Sequence, residues 1–349
     1  MSNNTNRVYE VRKSIKEITA QKEIKKREEE QTKDFHFMSA NLSRFMPEIP
    51  TENHWDIYLD IITTMRLREF DLTEIQQFSD QVGQNLDSEM DPEPKIYITC
   101  HLGFCKAAIS VLILNGINKI ALIVDENTYN KQAKTILEIN ERFCKMFQVT
   151  NSLKVINVEK SNTVIEISQL IKKGYSLYAY LDGNSGYKGV YNKEKTIKID
   201  FLADHIYSRT GLAKIAYFTK TPIVPFITYY SEDKLHPHVH FFEEIAVEST
   251  LNIDDFADKT IRLIYSHFEK YIEKYPNQWE AWFYLHKYLS NEILLNKDQT
   301  IDILKLEKKD IENGKFAVFK IDANAYLFDR EHYVVYPISQ EQFILLKNH

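Results

Sequence analysis

Glycine and proline are scarce, nine of each in 349 residues, too few for collagen-like, linker-rich or turn-repeat architectures. Cysteine is scarcer: Cys100, Cys105 and Cys144 are the only three. Their spacing matches no paired metal motif and cannot build a disulfide framework, so a reducing, cytoplasmic setting is the expectation. No apolar run reaches the roughly 20 residues that span a bilayer. The longest candidate, Ala107 to Val124, is interrupted by Asn115, Gly116, Asn118 and Lys119. The first residues lack the apolar stretch of a signal peptide, so the mature chain is expected to start near Met1. An excess of positive charge is missing too. Lysine and arginine number 44 against 50 Asp and Glu, a formal charge of −6, and no nucleic-acid partner is expected. What remains is an ordinary globular composition, 44% hydrophobic and long enough for one large domain or two smaller ones.

Residues 7 to 33 are densely charged, yet Val8, Val11, Ile15 and Ile18 recur at helical spacing. This predicts a charged amphipathic helix over 1–34 whose narrow apolar stripe docks on the body or on a partner. Peripheral membrane contact is the sharper alternative, weakened by the alternating acids. A helical region follows over 35–90, with Trp55, Ile57, Tyr58, Ile61, Ile62 and Met65 on its apolar face. Asp91-Pro92-Glu93-Pro94 ends it by removing backbone donors. Strand-like runs then alternate with helical ones. The strands are Lys95 to Cys100, Lys119 to Val124, Leu153 to Val158, Ser176 to Leu181, Thr196 to Phe201 and Pro222 to Tyr230. The helices between them are Gly103 to Leu114, Asn130 to Phe147, Thr163 to Lys173 and Ala203 to Thr219, and a last one runs from Ile253 to Tyr275. Continuous apolar strands separated by such helices predict an α/β domain over 35–295, its sheet mixed, largely parallel and flanked by helices. Residues 296–349 read as a small C-terminal α+β module: Phe316 to Ile321, Ala325 to Phe328 and His332 to Tyr336 extended, then a helix from Ser339.

In open parallel sheets, ligands collect outside the carboxyl ends of the strands. Three predicted strands end on titratable residues: His101, Asp125 with Glu126, and Asp182, which the small-residue loop Gly183-Asn184-Ser185-Gly186 follows. Taken singly, Asp125 and Asp182 also fit helix caps or turns. His101 sits where a buried strand becomes a helix, and imidazole is suited to proton transfer at neutral pH. Cys100 and Cys105 flank it and invite a thiolate reading, although small buried hydrophobes explain them more simply. His236, His238 and His240 share one strand face, but alternate residues stand about 7 Å apart. With no acidic or cysteine partner, they are assigned no metal. Most of the 21 Tyr and 20 Phe would fill the core, and some suit an apolar channel for an acyl chain. Arg209 is the best-placed cation for a phosphate-bearing substrate, with a salt bridge as the equal alternative.

The segment Thr99-Cys100-His101-Leu102-Gly103-Phe104 resembles the strand-to-helix motif of the lipid A biosynthesis (lauroyl/myristoyl) acyltransferases, within the lysophospholipid-acyltransferase-like superfamily, which typically reads H-L-G-N-W-E. Leu181-Asp182-Gly183 is similar to that family's Asp loop. Arg209 to Ala216 with Thr221-Pro222-Ile223-Val224-Pro225 is similar to its helix-and-strand segment, and Pro276 to Trp279 with Trp282 to Lys287 to its closing segment. The likeness covers residues 50 to 290 and marks a divergent member. It implies transfer of a fatty acyl group from a thioester donor, acyl carrier protein or coenzyme A, to a hydroxyl or amine, with no separate cofactor. His101 would be the general base, and the substrate side would involve Gly103, Lys106, Asp125, Gly183 and Arg209. Backbone amides at the start of the Gly103 helix would stabilise the oxyanion.

The chain departs from this pattern at Lys106, five residues past His101, where the family carries a carboxylate that orients the imidazole. An ammonium would not orient the ring and would lower its basicity. Asp182 is therefore the expected substitute, with Asp125 and Glu126 as other candidates. The alternative is a non-catalytic acyltransferase-like scaffold that binds a carrier protein, peptide or acyl ligand. Members of the family usually begin with an apolar anchor. The charged helix here instead implies a cytosolic acceptor, a peptide or a carrier-bound metabolite, as in natural product biosynthesis. Tyr326 to Asp329 and His332 to Tyr336 faintly resemble the start of the small peptide-binding domains of ribosomal-peptide modification systems, and a generic β-rich extension is the simpler reading.

Overall fold

The computed structural model describes residues 3–73, 92–183, 196–232, 236–289, 306 and 308–347. They fall into two compact units, one from residues 64–199 and 208–280, the other from 1–63, 200–207 and 281–349. In chain order the first eight strands are β1 (Ile96–Thr99), β2 (Lys119–Val124), β3 (Ser152–Asn157), β4 (Ser176–Tyr180), β5 (Thr196–Phe201), β6 (Asp204–Arg209), β7 (Ile223–Tyr230) and β8 (Pro237–Phe241).

The first unit is built on a six-stranded sheet of order β3-β2-β4-β1-β7-β8, parallel throughout except for the β7–β8 pair. The central strands follow from composition. Every residue of β1 is buried, as are the first four of β4, and both are rich in β-branched, aromatic and small residues. At the edge, β3 alternates exposed and half-buried positions before its last two buried residues. Helices α4 (Ala108–Leu114), α5 (Glu126–Phe147), α6 (Thr163–Lys172), α7 (Gly211–Thr219) and α8 (Ile253–Lys274) flank the sheet. Asn252 starts α8 by accepting hydrogen bonds from the amides of Asp254 and Asp255, each 3.0 Å. Its buried stripe, Phe256, Ala257, Thr260, Ile261, Ile264, Tyr265, Phe268 and Ile272, has the three- and four-residue spacing of one helix face.

The fold class is thus the one the sequence predicts, with two local differences. Residues 103–107 are turns, and α4 begins only at Ala108, because Gly103 has φ +55°, outside the right-handed helical region. The predicted helix over 203–219 is strand β6 followed by α7. Leu202, at φ +52°, and Ala203 form a tight turn after β5, and Ile206 and Ser208 then alternate inward along β6. Asn184 to Gly186 and residues 74–91 lie outside the described residues.

The second unit joins both ends of the chain. It holds α1 (Asn3–Glu28), α2 (Lys33–Phe45), the first half of α3 (His54–Thr73) and an antiparallel sheet of order β11-β10-β9, from β9 (Phe316–Ile321), β10 (Asn324–Asp329) and β11 (Val334–Ile338). A short helix α9 (Lys308–Glu312) precedes that sheet and α10 (Gln340–Lys347) follows it. Helix α2 lies on the sheet, with Phe37 stacked on Phe328 at 4.3 Å and His36 on Phe319 at 6.1 Å. Glu30 binds the ammonium groups of Lys320 and Lys347. The inward residues of α1 are polar: Arg12, Thr19 and Glu23 are buried, while Ile18 and Ile24 are 48% and 47% exposed. Of the predicted apolar stripe, Val11 and Ile15 are half-buried and Ile18 is exposed. Glu23 is satisfied by the Tyr58 hydroxyl and Lys26, both at 2.9 Å. None of the described helices is long and apolar enough to cross a membrane.

Candidate functional site

Strand order brings the site together. The chain lays β4 between β2 and β1, and the β1–β4 register pairs Thr99 with Tyr180. The ladder continues one step further, as the Leu181 amide donates to the Thr99 carbonyl at 2.8 Å. His101 and Asp182, each two residues past the last registered pair, therefore meet at the carboxyl edge where the strand order reverses. Asp182 Oδ1 lies 2.7 Å from His101 Nδ1, and Oδ2 accepts the His101 backbone amide at 2.9 Å and the Trp279 indole N–H at 2.8 Å. The carboxylate thus engages the Nδ1 side of the ring. Tyr180 stacks on the imidazole at 4.3 Å and 18°, its hydroxyl donating to the Cys105 carbonyl at 3.1 Å.

Electrostatics follow from these contacts. Burial pushes the His101 pKa down, but the Asp182 charge and hydrogen bond outweigh it, and the net shift is upward. Burial likewise pushes Asp182 up, and the His101 charge, the His101 side-chain and backbone hydrogen bonds and the Trp279 bond outweigh it, so its pKa is lowered. The imidazole side chain is 22% exposed against 4% for the carboxylate. The ring is therefore the more accessible member of the pair.

A further layer fixes the turn that carries His101. Arg68, fully buried on α3, donates to the carbonyls of Gly103 and His101, the latter at 2.9 Å, and pairs with Glu280. The Glu280 amide also binds the His101 carbonyl, at 3.1 Å, and Leu102 bridges Trp279. Gln278 holds both the amide and the carbonyl of Tyr230, at 2.8 and 2.9 Å, and the Thr228 hydroxyl donates to the Leu102 carbonyl at 2.7 Å. The turn must pass so close to β7 that a Cβ on Gly103 would stand 2.5 Å from the Thr228 oxygen and the Tyr229 Cα. Glycine is required there both for space and for its positive φ.

The other sequence candidates are placed as follows. The Gly103 amide is engaged with the Gln278 carbonyl at 3.3 Å. Lys106 reaches Glu69 at 2.6 Å on the surface. Asp125 caps α5, accepting the Thr128 amide at 2.7 Å and its hydroxyl at 3.1 Å. Because β4 separates β2 from β1, Asp125 stands two strand spacings, about 10 Å, from His101. Gly183 follows Asp182 and is exposed, with an ordinary 3.7 Å contact awaiting a Cβ. Arg209 ends β6, half-buried, just before α7. Burial raises the Cys105 thiol to about 11 and Cys100 well above its usual range, which fits the buried-hydrophobe reading of both. His238 and His240 are stacked on Tyr229 and Tyr271 at 5.1 and 5.4 Å.

Arg68, Tyr180 and Glu280 were not singled out from sequence, and Gln278 and Trp279 were noted only within a motif. Arg68 had a signal: it falls three residues after Met65 on the apolar face of its helix. A charge in such a place must be paired.

The structure is thus an α/β fold whose largely parallel sheet carries a histidine–aspartate pair at its carboxyl edge. The model of the bacterial lipid A biosynthesis acyltransferase family matches residues 60–290, and the chain belongs to that family. No curated protein matches the chain.

Proposed function

We propose that the protein transfers a fatty acyl group from a thioester donor, acyl carrier protein or coenzyme A, to a hydroxyl or amine, with His101 as general base and Asp182 as its orienting carboxylate. The observation that carries this reading is the 2.7 Å His101 Nδ1 to Asp182 contact. It supplies from the neighbouring strand the acid that Lys106 cannot. In this mechanism Asp182 holds the tautomer with hydrogen on Nδ1, leaving the Nε2 lone pair for the acceptor. The acceptor's oxygen or nitrogen bonds to the thioester carbonyl carbon as its proton passes to Nε2. Collapse of the tetrahedral intermediate breaks the carbon–sulfur bond, and the imidazolium returns the proton to the departing thiolate. The products are an ester or amide and a free thiol. Tyr180 supports the cationic ring by stacking on it.

Acyl transfer is to be followed by mass spectrometry with both donor types against hydroxyl, amine and peptide acceptors. The expected result is product with wild type and a loss of about 10²- to 10⁴-fold in His101→Ala, the usual contribution of a general base. Turnover that survives the substitution removes His101 from the mechanism. Absence of covalent product with every pair tried favours the reading in which the chain binds a carrier, peptide or acyl ligand without catalysis.

A further inference from the structure

The second unit contains a cation whose hydrogen-bonding capacity is largely unspent. Arg330 lies at the turn between β10 and β11, partly buried, and its Nη2 donates to Ser39 Oγ at 2.9 Å and Ser43 Oγ at 3.3 Å. Both acceptors are neutral, and those two bonds use the hydrogens of Nη2 alone. Among the described residues, the Nε and Nη1 hydrogens make no hydrogen bond, and no carboxylate pairs with the guanidinium.

Two buried or half-buried acids of this region are committed elsewhere. Asp329 accepts the amides of Glu331 and His332 and the His332 ring, and Asp204 binds Arg44 and His205. Ser39 is also spoken for. It lies 2.7 Å from His54 Nδ1 while His54 Nε2 faces the Ile49 carbonyl at 3.2 Å, so Ser39 gives its hydrogen to His54 and accepts from Arg330. The serine relay thus aims the guanidinium and contributes no counter-charge. Burial holds the Arg330 pKa below the ordinary arginine range, as expected of a cation that has lost water without gaining an anion.

Next to it is a donor in the same condition. Tyr333 is 8% exposed and its hydroxyl is buried; its oxygen faces the Arg44 guanidinium, and among the described residues nothing accepts its hydrogen. It sits within the field of both Arg330 and Arg44. Its backbone is in the left-handed region, φ +56°, and its ring is stacked on His286 at 5.0 Å, so its place is set. Buried donors without acceptors are rare in native proteins, and an arginine fork with unspent hydrogens matches an oxyanion.

We propose that Arg330 and Tyr333, with Ser43 and Arg44 beside them, form a binding site for a phosphate monoester. The donors come from two separate elements, α2 and the β10–β11 turn, and of the two guanidiniums only that of Arg44 is paired with a carboxylate, Asp204, among the described residues. That arrangement suits a tetrahedral dianion better than a planar carboxylate. The site lies outside residues 60–290, and it stands or falls independently of acyl transfer.

The test is calorimetric titration of the full-length protein with inorganic phosphate and with glycerol 3-phosphate, with acetate as control. Co-sedimentation with vesicles containing phosphatidate distinguishes a lipid head group from a soluble ester. The expected result is saturable phosphate binding that weakens at least tenfold in Arg330→Gln and about fivefold in Tyr333→Phe, with acetate far weaker. Tyr333→Phe removes one hydroxyl and keeps the stack on His286, so it reports on the site even if Arg330→Gln does not fold. No saturable binding, wild-type affinity in Tyr333→Phe, or acetate binding as tight as phosphate would each overturn the proposal.

Discussion

Asp182 is 3% exposed and keeps its charge because three donors, two from His101 and one from Trp279, converge on it. Asp182→Asn tests what that charge does. Without it, burial dominates the imidazole and its pKa falls. Since the base acts when neutral, the acidic limb of kcat/KM is expected to move to lower pH. The rate falls by about 10³- to 10⁴-fold as the favoured tautomer is lost. A limb that stays in place would show that another group sets the basicity. That His101 and Asp182 are candidates was legible from their places at strand ends. That they touch was not, because neighbouring strands in a parallel sheet need not be consecutive in the chain.

At the scale of elements, Asp125 and Asp182 separate. Both follow apolar strands and look alike in sequence, but Asp125 begins α5 and spends its carboxylate on the first turn of that helix. Asp125→Ala is expected to cost about 1 kcal/mol in stability, and Asp125→Ser to restore most of it, since serine also caps. Acyl transfer should change in neither variant; a rate loss in both would return Asp125 to the site. Denaturant unfolding and single-turnover transfer measure the two effects. The stretch 203–219 teaches a related point. Its composition suits a helix, yet the turn at Leu202 commits residues 204–209 to pairing with β5 before α7 can start. Pairing is a long-range event that a local pattern does not carry.

For the whole molecule, the buried histidines set the response to acid. Burial holds His36 and His286 down at about 3, and His54 is lowered by the same cause. Between about pH 6.5 and pH 3 the unfolded chain binds protons at His36 and His286 that the folded chain refuses, and His54 adds to this in the same direction. Stability therefore falls with pH, by about 1.4 kcal/mol per pH unit for each such histidine. His101 works in the opposite sense. Its raised pKa adds stability below about 6.5 that is lost as pH rises through the folded value. Asp182, lowered, adds stability above its unfolded value that disappears as pH falls through its folded one. Thermal unfolding from pH 8 to pH 4 is expected to show a marked loss on the acid side, starting before carboxylates titrate. A flat profile down to pH 5 would show that these imidazoles are not held neutral.

The amino-acid sequence by itself determined the class of sheet, the family and the candidate histidine. Burying a strand on both faces requires continuous apolar runs, and a tight turn against a neighbouring strand requires glycine; such demands leave local marks. Only the tertiary structure decided which carboxylate meets His101, that Arg68 and Glu280 brace its turn, and that Arg12, Thr19 and Glu23 are the buried residues of α1 among those described. It also decided that Arg330 faces two serines and no acid. Each of these depends on which distant segments become neighbours, and the free energy of pairing a buried charge is set by that neighbourhood.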